Sequence, residues 1–300
     1  GYIKSVLADT YRRQGRGGRG VRGAELREDD LITHVLHTSA HAYLLFFTNR
    51  GKVYRVRAHQ LPRKERTAKG SLVQSVLPMD PDEIIEAIID TRDYETHQFL
   101  VAFTKKGQVK KTKFTDYDSR NQVLVAINLT EDDEVVAVRA TSGDNDLVMV
   151  TRDGMAIRFA ESDARPMGRD TRGVRGIKLR EGDEVVSAAI ATDESEILFL
   201  TSGGYGKRTA MSEFPLQKRG GIGVRSMKLT RVRGELVAAM AVTKEDHIFV
   251  TSSDGIVIRQ GAGEISRQKR ASTGVRVMNL DAGTQLAAAA LVPREDADLA

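Results

Sequence analysis

"LLFFTNRGKVYRV", residues 44–56, joins an apolar run, a polar turn closed by Gly51 and a second run carrying Arg55. The pattern returns as "FLVAFTKKGQVKK" (99–111), "LVMVTRDGMAIRF" (147–159), "ILFLTSGGYGKRT" (197–209) and "IFVTSSDGIVIRQ" (248–260). The chain opens inside a sixth copy, "GYIKSV". The turn glycines Gly1, Gly51, Gly107, Gly154, Gly204 and Gly255 stand 50, 56, 47, 50 and 51 residues apart. Self-similarity at such a period marks a repeat architecture, in which each copy is one supersecondary unit.

A second landmark keeps the same phase. Gly20, Gly70, Gly173, Gly223 and Gly274 each follow their turn glycine by 19 residues. Six residues later stand Leu26, Val76, Leu179, Leu229 and Leu280, each ending an alternating stretch such as "GVRGIKL" or "GVRVMNL". The unit beginning at Gly107 is three residues shorter, with Val123 and Leu129 at these places. An acidic turn and an apolar strand such as "EVVSAAI" or "QLAAAALV" complete each unit. Each unit therefore carries four short strands and no helical period. Alternation between Gly- and Asp-rich turns means antiparallel meanders. Six four-stranded units predict an all-β, six-bladed, propeller-like ring, one domain over residues 1–300. The run before the turn glycine occurs five times and the other strands six, so the chain is expected to be cut in mid-blade upstream of Gly1.

The composition, 40% hydrophobic and 29% charged, reads as soluble and globular. No uninterrupted apolar run exceeds seven residues, too short to span a bilayer. There is no cysteine, hence no disulfide frame and no thiolate metal site, which suits a cytoplasmic protein. The net charge of +5 is unevenly spread. Residues 1–23 hold Lys4, Arg12, Arg13, Arg16, Arg19 and Arg22 against Asp9 alone, so this segment carries the whole excess. A concentrated basic segment points to a polyanionic partner.

Charge also follows the repeat. Four residues after the turn glycine stand Arg55, Lys111, Arg158, Arg208 and Arg259, with Lys4 one place earlier in the first unit. Four residues before the second glycine stand Arg16, Arg66, Arg169, Arg219 and Arg270. The loops between add Arg12, Arg13, Arg63, Lys64, Lys69, Arg165, Arg172, Lys218, Arg267 and Lys269. Acidic clusters such as Glu131–Glu134 and Glu181–Glu184 fall at another phase. In a ring, constant phase means constant position, so these cations are expected to form a rim belt. Guanidinium forks suit phosphate oxygens and need no base sequence. Few aromatics lie among them, which favours duplex DNA over stacked single strands.

"GRGGRG", Gly15 to Gly20, spells G-x-G-x-x-G, but a strand-like "VRGAEL" follows where a dinucleotide site needs a helix. "SGGYGKRT" lacks the Ser or Thr that a Walker loop needs after its lysine, because Arg208 stands there. Two readings of the glycine loop stay open. It is an anion nest of backbone N–H groups, or a tight crossover that needs glycine for shape alone.

"QGRGGRG", Gln14 to Gly20, resembles the heptapeptide box of the C-terminal domain family of DNA gyrase A, a type IIA topoisomerase component. "TYRRQ" before it, "GAELREDD" after it, and "FFTNRGKVYR", "TSGGYGKRT" and "STGVRVMNL" resemble the same family, so the likeness covers essentially the whole chain. Gly15 departs from the basic residue usual at its place. A second near-copy, "QKRGGIG", spans Gln217, Lys218, Arg219, Gly220, Gly221, Ile222 and Gly223, with Ile222 replacing the last basic residue. The resemblance implies a six-bladed β-pinwheel whose blades exchange strands and whose rim bends double-stranded DNA. It also implies a DNA grip at Gln14, Arg16, Gly17, Gly18, Arg19 and Gly20. It places the domain in an ATP-dependent enzyme, built from two copies each of gyrase A and gyrase B, that introduces negative supercoils. No catalytic residue and no cofactor are expected in the domain itself, which by itself is expected to be a monomer.

Alternatives are the corresponding domain of topoisomerase IV and a protein-interaction propeller. Two near-complete boxes favour the gyrase family over the first, and the arginine offsets argue against the second. His34, His37 and His41 do not suit a metal, because an offset of three puts two of them on opposite strand faces. Tyr11 and Tyr117 are read as packing residues, the family's nucleophilic tyrosine lying in a preceding domain.

Overall fold

The computed structural model describes residues 1–7, 34, 36, 38–65, 68–94, 96–192 and 194–292. The first repeat contributes β1 (Tyr2–Ile3). The second gives β2 (Tyr43–Thr48), β3 (Lys52–Arg57), β4 (Ser71–Leu72) and β5 (Ile85–Asp90). The third gives β6 (Phe99–Thr104), β7 (Gln108–Lys113), β8 (Val123–Val125) and β9 (Val135–Thr141). The fourth gives β10 (Asp146–Thr151), β11 (Met155–Ala160), β12 (Val174–Arg175) and β13 (Val185–Ala191). The fifth gives β14 (Glu196–Thr201), β15 (Tyr205–Ala210), β16 (Val224–Arg225) and β17 (Leu236–Val242). The sixth gives β18 (His247–Ser252), β19 (Val257–Gly261), β20 (Val275–Arg276) and β21 (Leu286–Leu291).

The four strands of a repeat do not form one sheet. The third strand pairs with the preceding repeat, giving the orders β5-β2-β3-β8, β9-β6-β7-β12, β13-β10-β11-β16 and β17-β14-β15-β20. All pairings are antiparallel. The last sheet, β21-β18-β19, has three strands among the described residues. The count expected from the sequence was six blades. Among the described residues there are five, plus the two-stranded β1-β4 sheet, and residues 8–33, where the first repeat's other strands are expected, lie outside the described residues.

The turn glycine is where one repeat is fastened to the next. Gly51, Gly107, Gly154, Gly204 and Gly255 all have φ between 73° and 87°, a region glycine enters without strain. The Gly51 carbonyl accepts from the Ala126 N–H at 2.8 Å, and that of Gly204 from Val277 at 2.8 Å. The exchanged chain passes so close that a Cβ on Gly107 would stand 2.9 Å from the Ile177 oxygen.

Inner strands β5, β9, β13, β17 and β21 pack on one another in succession around the centre. Their alanine-rich sequences, "VVSAAIA" and "LVAAMAV", suit that crowded place. Larger side chains fill the space between blades: Phe103 and Phe159 share one buried cluster, and Phe199 and Phe214 another. Burying each such ring contributes roughly 2–3 kcal/mol. Tyr117 belongs here too, its ring edge-on to Phe47 at 5.4 Å. A ladder of opposite charges crosses the blades: Lys105 meets Glu184 at 3.4 Å, and Arg152 meets Glu184 at 3.1 Å and Glu235 at 3.4 Å.

Candidate nucleic-acid interface

The segment joining a blade's second strand to the exchanged strand carries most of the loop cations and forms a strap. It runs parallel to the second strand of the preceding repeat, bridging Ser5 to Arg63, Lys111 to Pro166, Arg158 to Leu216 and Arg208 to Arg267. Met167 N donates to Lys111 O, Gln217 N to Arg158 O and Gln268 N to Arg208 O, all at 2.8 Å. The strap thus covers the residue four places after the turn glycine.

That cover corrects the expected belt. Lys111 and Arg208 are each 4% exposed and cannot meet a duplex. Lys111 pairs with Glu161 at 3.2 Å, Arg158 with Asp146 at 2.7 Å and Arg55 with Asp118 at 3.0 Å. Arg208 pairs with Glu196 and donates to Ile265 O at 2.8 Å. These cations hold the blades together. Arg259, on the three-stranded last sheet, is exposed. Lys4 belongs one place earlier, where its ammonium lies against the strap carbonyl of Ala68 at 2.9 Å.

The strap arginines are half-buried and repeat one geometry. Arg169 Nη1 donates to Val125 O at 3.3 Å, Arg219 Nη1 to Arg175 O at 2.5 Å and Arg270 Nη1 to Arg225 O at 2.9 Å. Each therefore lies across the exchanged strand at the rim. Neighbouring Arg165, Arg172, Lys218 and Lys269 are exposed. Arg12, Arg13, Arg66 and the first box, Gln14, Arg16, Gly17, Gly18, Arg19 and Gly20, lie outside the described residues.

The second box is described. Gly220 and Gly223 have φ of 85° and 72°, and a Cβ on Gly223 would collide with the Ala156 carbonyl. Gly220 N donates to Gly176 O at 2.7 Å, Gln217 N to Arg158 O, and the Gly221 carbonyl accepts from Lys178 N at 2.8 Å. Those contacts belong to a crossover stitched to its neighbours. In this second box the glycines serve the shape of the crossover, with charge supplied by exposed Lys218 and half-buried Arg219; the loop at Gly15–Gly20 lies outside the described residues.

Sequence reasoning missed one exposed row. Arg175, Arg225 and Arg276 sit on the exchanged strands β12, β16 and β20, outermost in their sheets. In each, alternation turns the preceding valine the other way and leaves the arginine exposed. The signal was the triplet Gly-Val-Arg at 173–175, 223–225 and 274–276. Lys178 and Lys228 add exposed charge three residues further on. The row stops at the second and third repeats, where Leu72 and Val125 occupy the arginine's place, 52% and 41% exposed.

Comparison with known proteins agrees with this architecture. The family model for the DNA gyrase C-terminal domain, beta-propeller, matches six segments: 1–39, 42–91, 98–142, 145–192, 195–243 and 246–293. The chain is 48% identical over 177 residues to the DNA gyrase A protein of Clostridium acetobutylicum, covering 59% of this chain and 21% of that protein. It is 47% identical over 185 residues to the DNA gyrase A protein of Streptomyces coelicolor, covering 59% and 22%. The chain thus spans about a fifth of the length of these relatives. Among solved structures, a C-terminal domain of DNA topoisomerase IV superposes with TM-score 0.86 at 28% identity, covering 99% of this chain and 91% of that one. A DNA gyrase A C-terminal domain gives TM-score 0.75 at 28% identity, covering 95% and 94%. With six consecutive repeats matched and blades joined by exchanged strands, this chain belongs to the DNA gyrase C-terminal domain family.

Proposed function

We propose that this domain binds double-stranded DNA along its rim and bends it, and that in an intact gyrase this lets the enzyme introduce negative supercoils at the expense of ATP. One observation carries the reading. Exposed arginines Arg175, Arg225 and Arg276 recur at a fixed phase on the exchanged strands, and the strands of the first two are also touched by strap arginines Arg219 and Arg270. Such a track meets phosphates and reads no base edges. The partners on this reading are duplex DNA and, in the cell cytoplasm, a second copy of gyrase A with two copies of gyrase B. The domain is a ring of six repeats, and the box at Gln14–Gly20 is a further DNA grip. The sequence relatives, being gyrase A proteins, favour this over a topoisomerase IV role.

Energetics set the size of the contact. Smoothly bending 20–30 base pairs by 40–90° costs roughly 1–6 kcal/mol. A track making about 8–10 phosphate contacts offsets that and gives a log K versus log salt slope near about −7 to −9. Titrating a duplex with the domain at several salt concentrations tests this. The expected result is that steep slope with little sequence preference, and a slope near about −2 would contradict it.

A further inference from the structure

Three lysines lie under the straps without touching the rim. Lys4, Lys110 and Lys207 each stand three residues after a turn glycine. Lys110 and Lys207 are 1% and 0% exposed. Their ammonium groups point at main-chain oxygens. Lys207 Nζ donates to Lys269 O at 2.7 Å and Arg270 O at 2.6 Å. Lys110 Nζ donates to Ala126 O at 2.6 Å and to Arg169 O. Lys4 Nζ donates to Ala68 O at 2.9 Å. In every case the strap belongs to the next repeat.

The arrangement alternates around the chain. At the same offset the second, fourth and sixth repeats carry Tyr54, Ile157 and Ile258. The strap over Ile157 is the glycine-rich second box, and Ile157 Cδ1 lies 3.6 Å from where a Cβ on Gly221 would stand. An aliphatic side chain therefore fills this place adequately. Burying an ammonium here is costly unless acceptors surround it, and the acceptors supplied are strap carbonyls.

We propose that Lys4, Lys110 and Lys207 are positioning residues, each clasping the strap of the next repeat from beneath so that its cations face a phosphate backbone at a fixed height. The inference rests on the duplex-binding reading for its purpose but not for its geometry. Turning two adjacent carbonyls inward at Lys269 and Arg270 leaves the Lys269 side chain exposed and Arg270 across the rim strand.

Burial pushes Lys110 and Lys207 down to about 8. The charged groups facing Lys110 are Asp170, Arg169 and Asp116, and those facing Lys207 are Glu213 and Arg270. A phosphate above the strap favours the charged form, so DNA binding takes up protons near pH 8. Duplex affinity at fixed salt should then weaken from pH 7 to 9.

The test is the double variant K110M/K207M, with K110I/K207I as a second form patterned on Ile157. Hydrogen exchange read at the strap amides needs no DNA. Exchange at Met167 and Gln268 is expected to quicken by at least about tenfold, while Gln217, on a strap without a lysine, keeps its rate. On DNA, the salt slope should become shallower by about 2, one contact for each released strap. The fall in affinity between pH 7 and 9 should shrink. Unchanged exchange and slope in a folded variant would overturn the proposal. So would unfolding of both forms, since the lysines would then be serving the fold. A wild-type slope near about −2 would instead remove the duplex reading, and exchange would still decide the clasp.

Discussion

Lys111, Arg158 and Arg208 on the second strands, and Arg175, Arg225 and Arg276 on the exchanged strands, are equally regular in the sequence and meet opposite fates. The first row lies under the strap and is ion-paired to Glu161, Asp146 and Glu196. The second lies on the outermost strand of each sheet and is exposed. What separates them is strand exchange, which lays the next repeat's chain over the second strand and leaves nothing beyond the exchanged one. Periodic charge in a repeat protein thus marks equivalent positions without saying whether they are covered. The buried row works for the fold, and the outer row faces solvent, with Arg276 donating to the Tyr205 hydroxyl at 2.7 Å.

The sharpest way to break this contrast is R208M. Arg208 and Glu196 have side chains only 5% and 10% exposed, so losing the guanidinium strands a largely buried carboxylate. Removing one partner of such a pair costs about 3–5 kcal/mol. The lower end is expected, because Arg267 still approaches Glu196 at 3.0 Å. Denaturant unfolding measures the loss, and the salt slope of the folded protein on duplex DNA should be unchanged. A variant of normal stability with weakened DNA binding would reverse the roles given to the two rows.

The reciprocal change is R175A/R225A/R276A. Exposed substitutions of this kind leave stability nearly untouched, so the denaturation midpoint should stay where it is. The salt slope should become shallower by about 3, close to 0.9 for each phosphate contact removed. A smaller effect sharpens the comparison at the edge of the track. V125R places an arginine where the row breaks off, on β8 beside Arg169, and should steepen the slope by about 1. No change there would mean that the bound duplex leaves the rim before reaching the third repeat.

Much of this molecule can be read from one line of sequence, for reasons local to the chain. A glycine with positive φ at each hairpin and alternation in the strands are properties of a few consecutive residues, and four strands per repeat follow from them. Which strands pair is a different kind of fact. β8 joins β3 across more than sixty residues, and nothing in "VLV" names its partner. The buried fate of Lys111 and Arg208 depends on that pairing, so repeat phase alone places these covered cations in the rim belt beside the strap cations that do reach it. The outer row was legible in principle, since Gly-Val-Arg recurs and alternation alone sets valine and arginine on opposite faces. The lysine clasp was not legible, because its acceptors are carbonyl oxygens and every residue has one.

Ligation of nicked DNA circles in the presence of the domain tests the central claim most directly, because linking number records the path that the duplex takes around the protein. The wild-type domain is expected to shift linking number in the positive sense, and R175A/R225A/R276A to give a clearly smaller shift at equal occupancy. A wild-type domain that saturates the circles and leaves linking number unaltered, or a triple variant that shifts it as far as wild type does, would contradict a duplex bent along the exchanged strands.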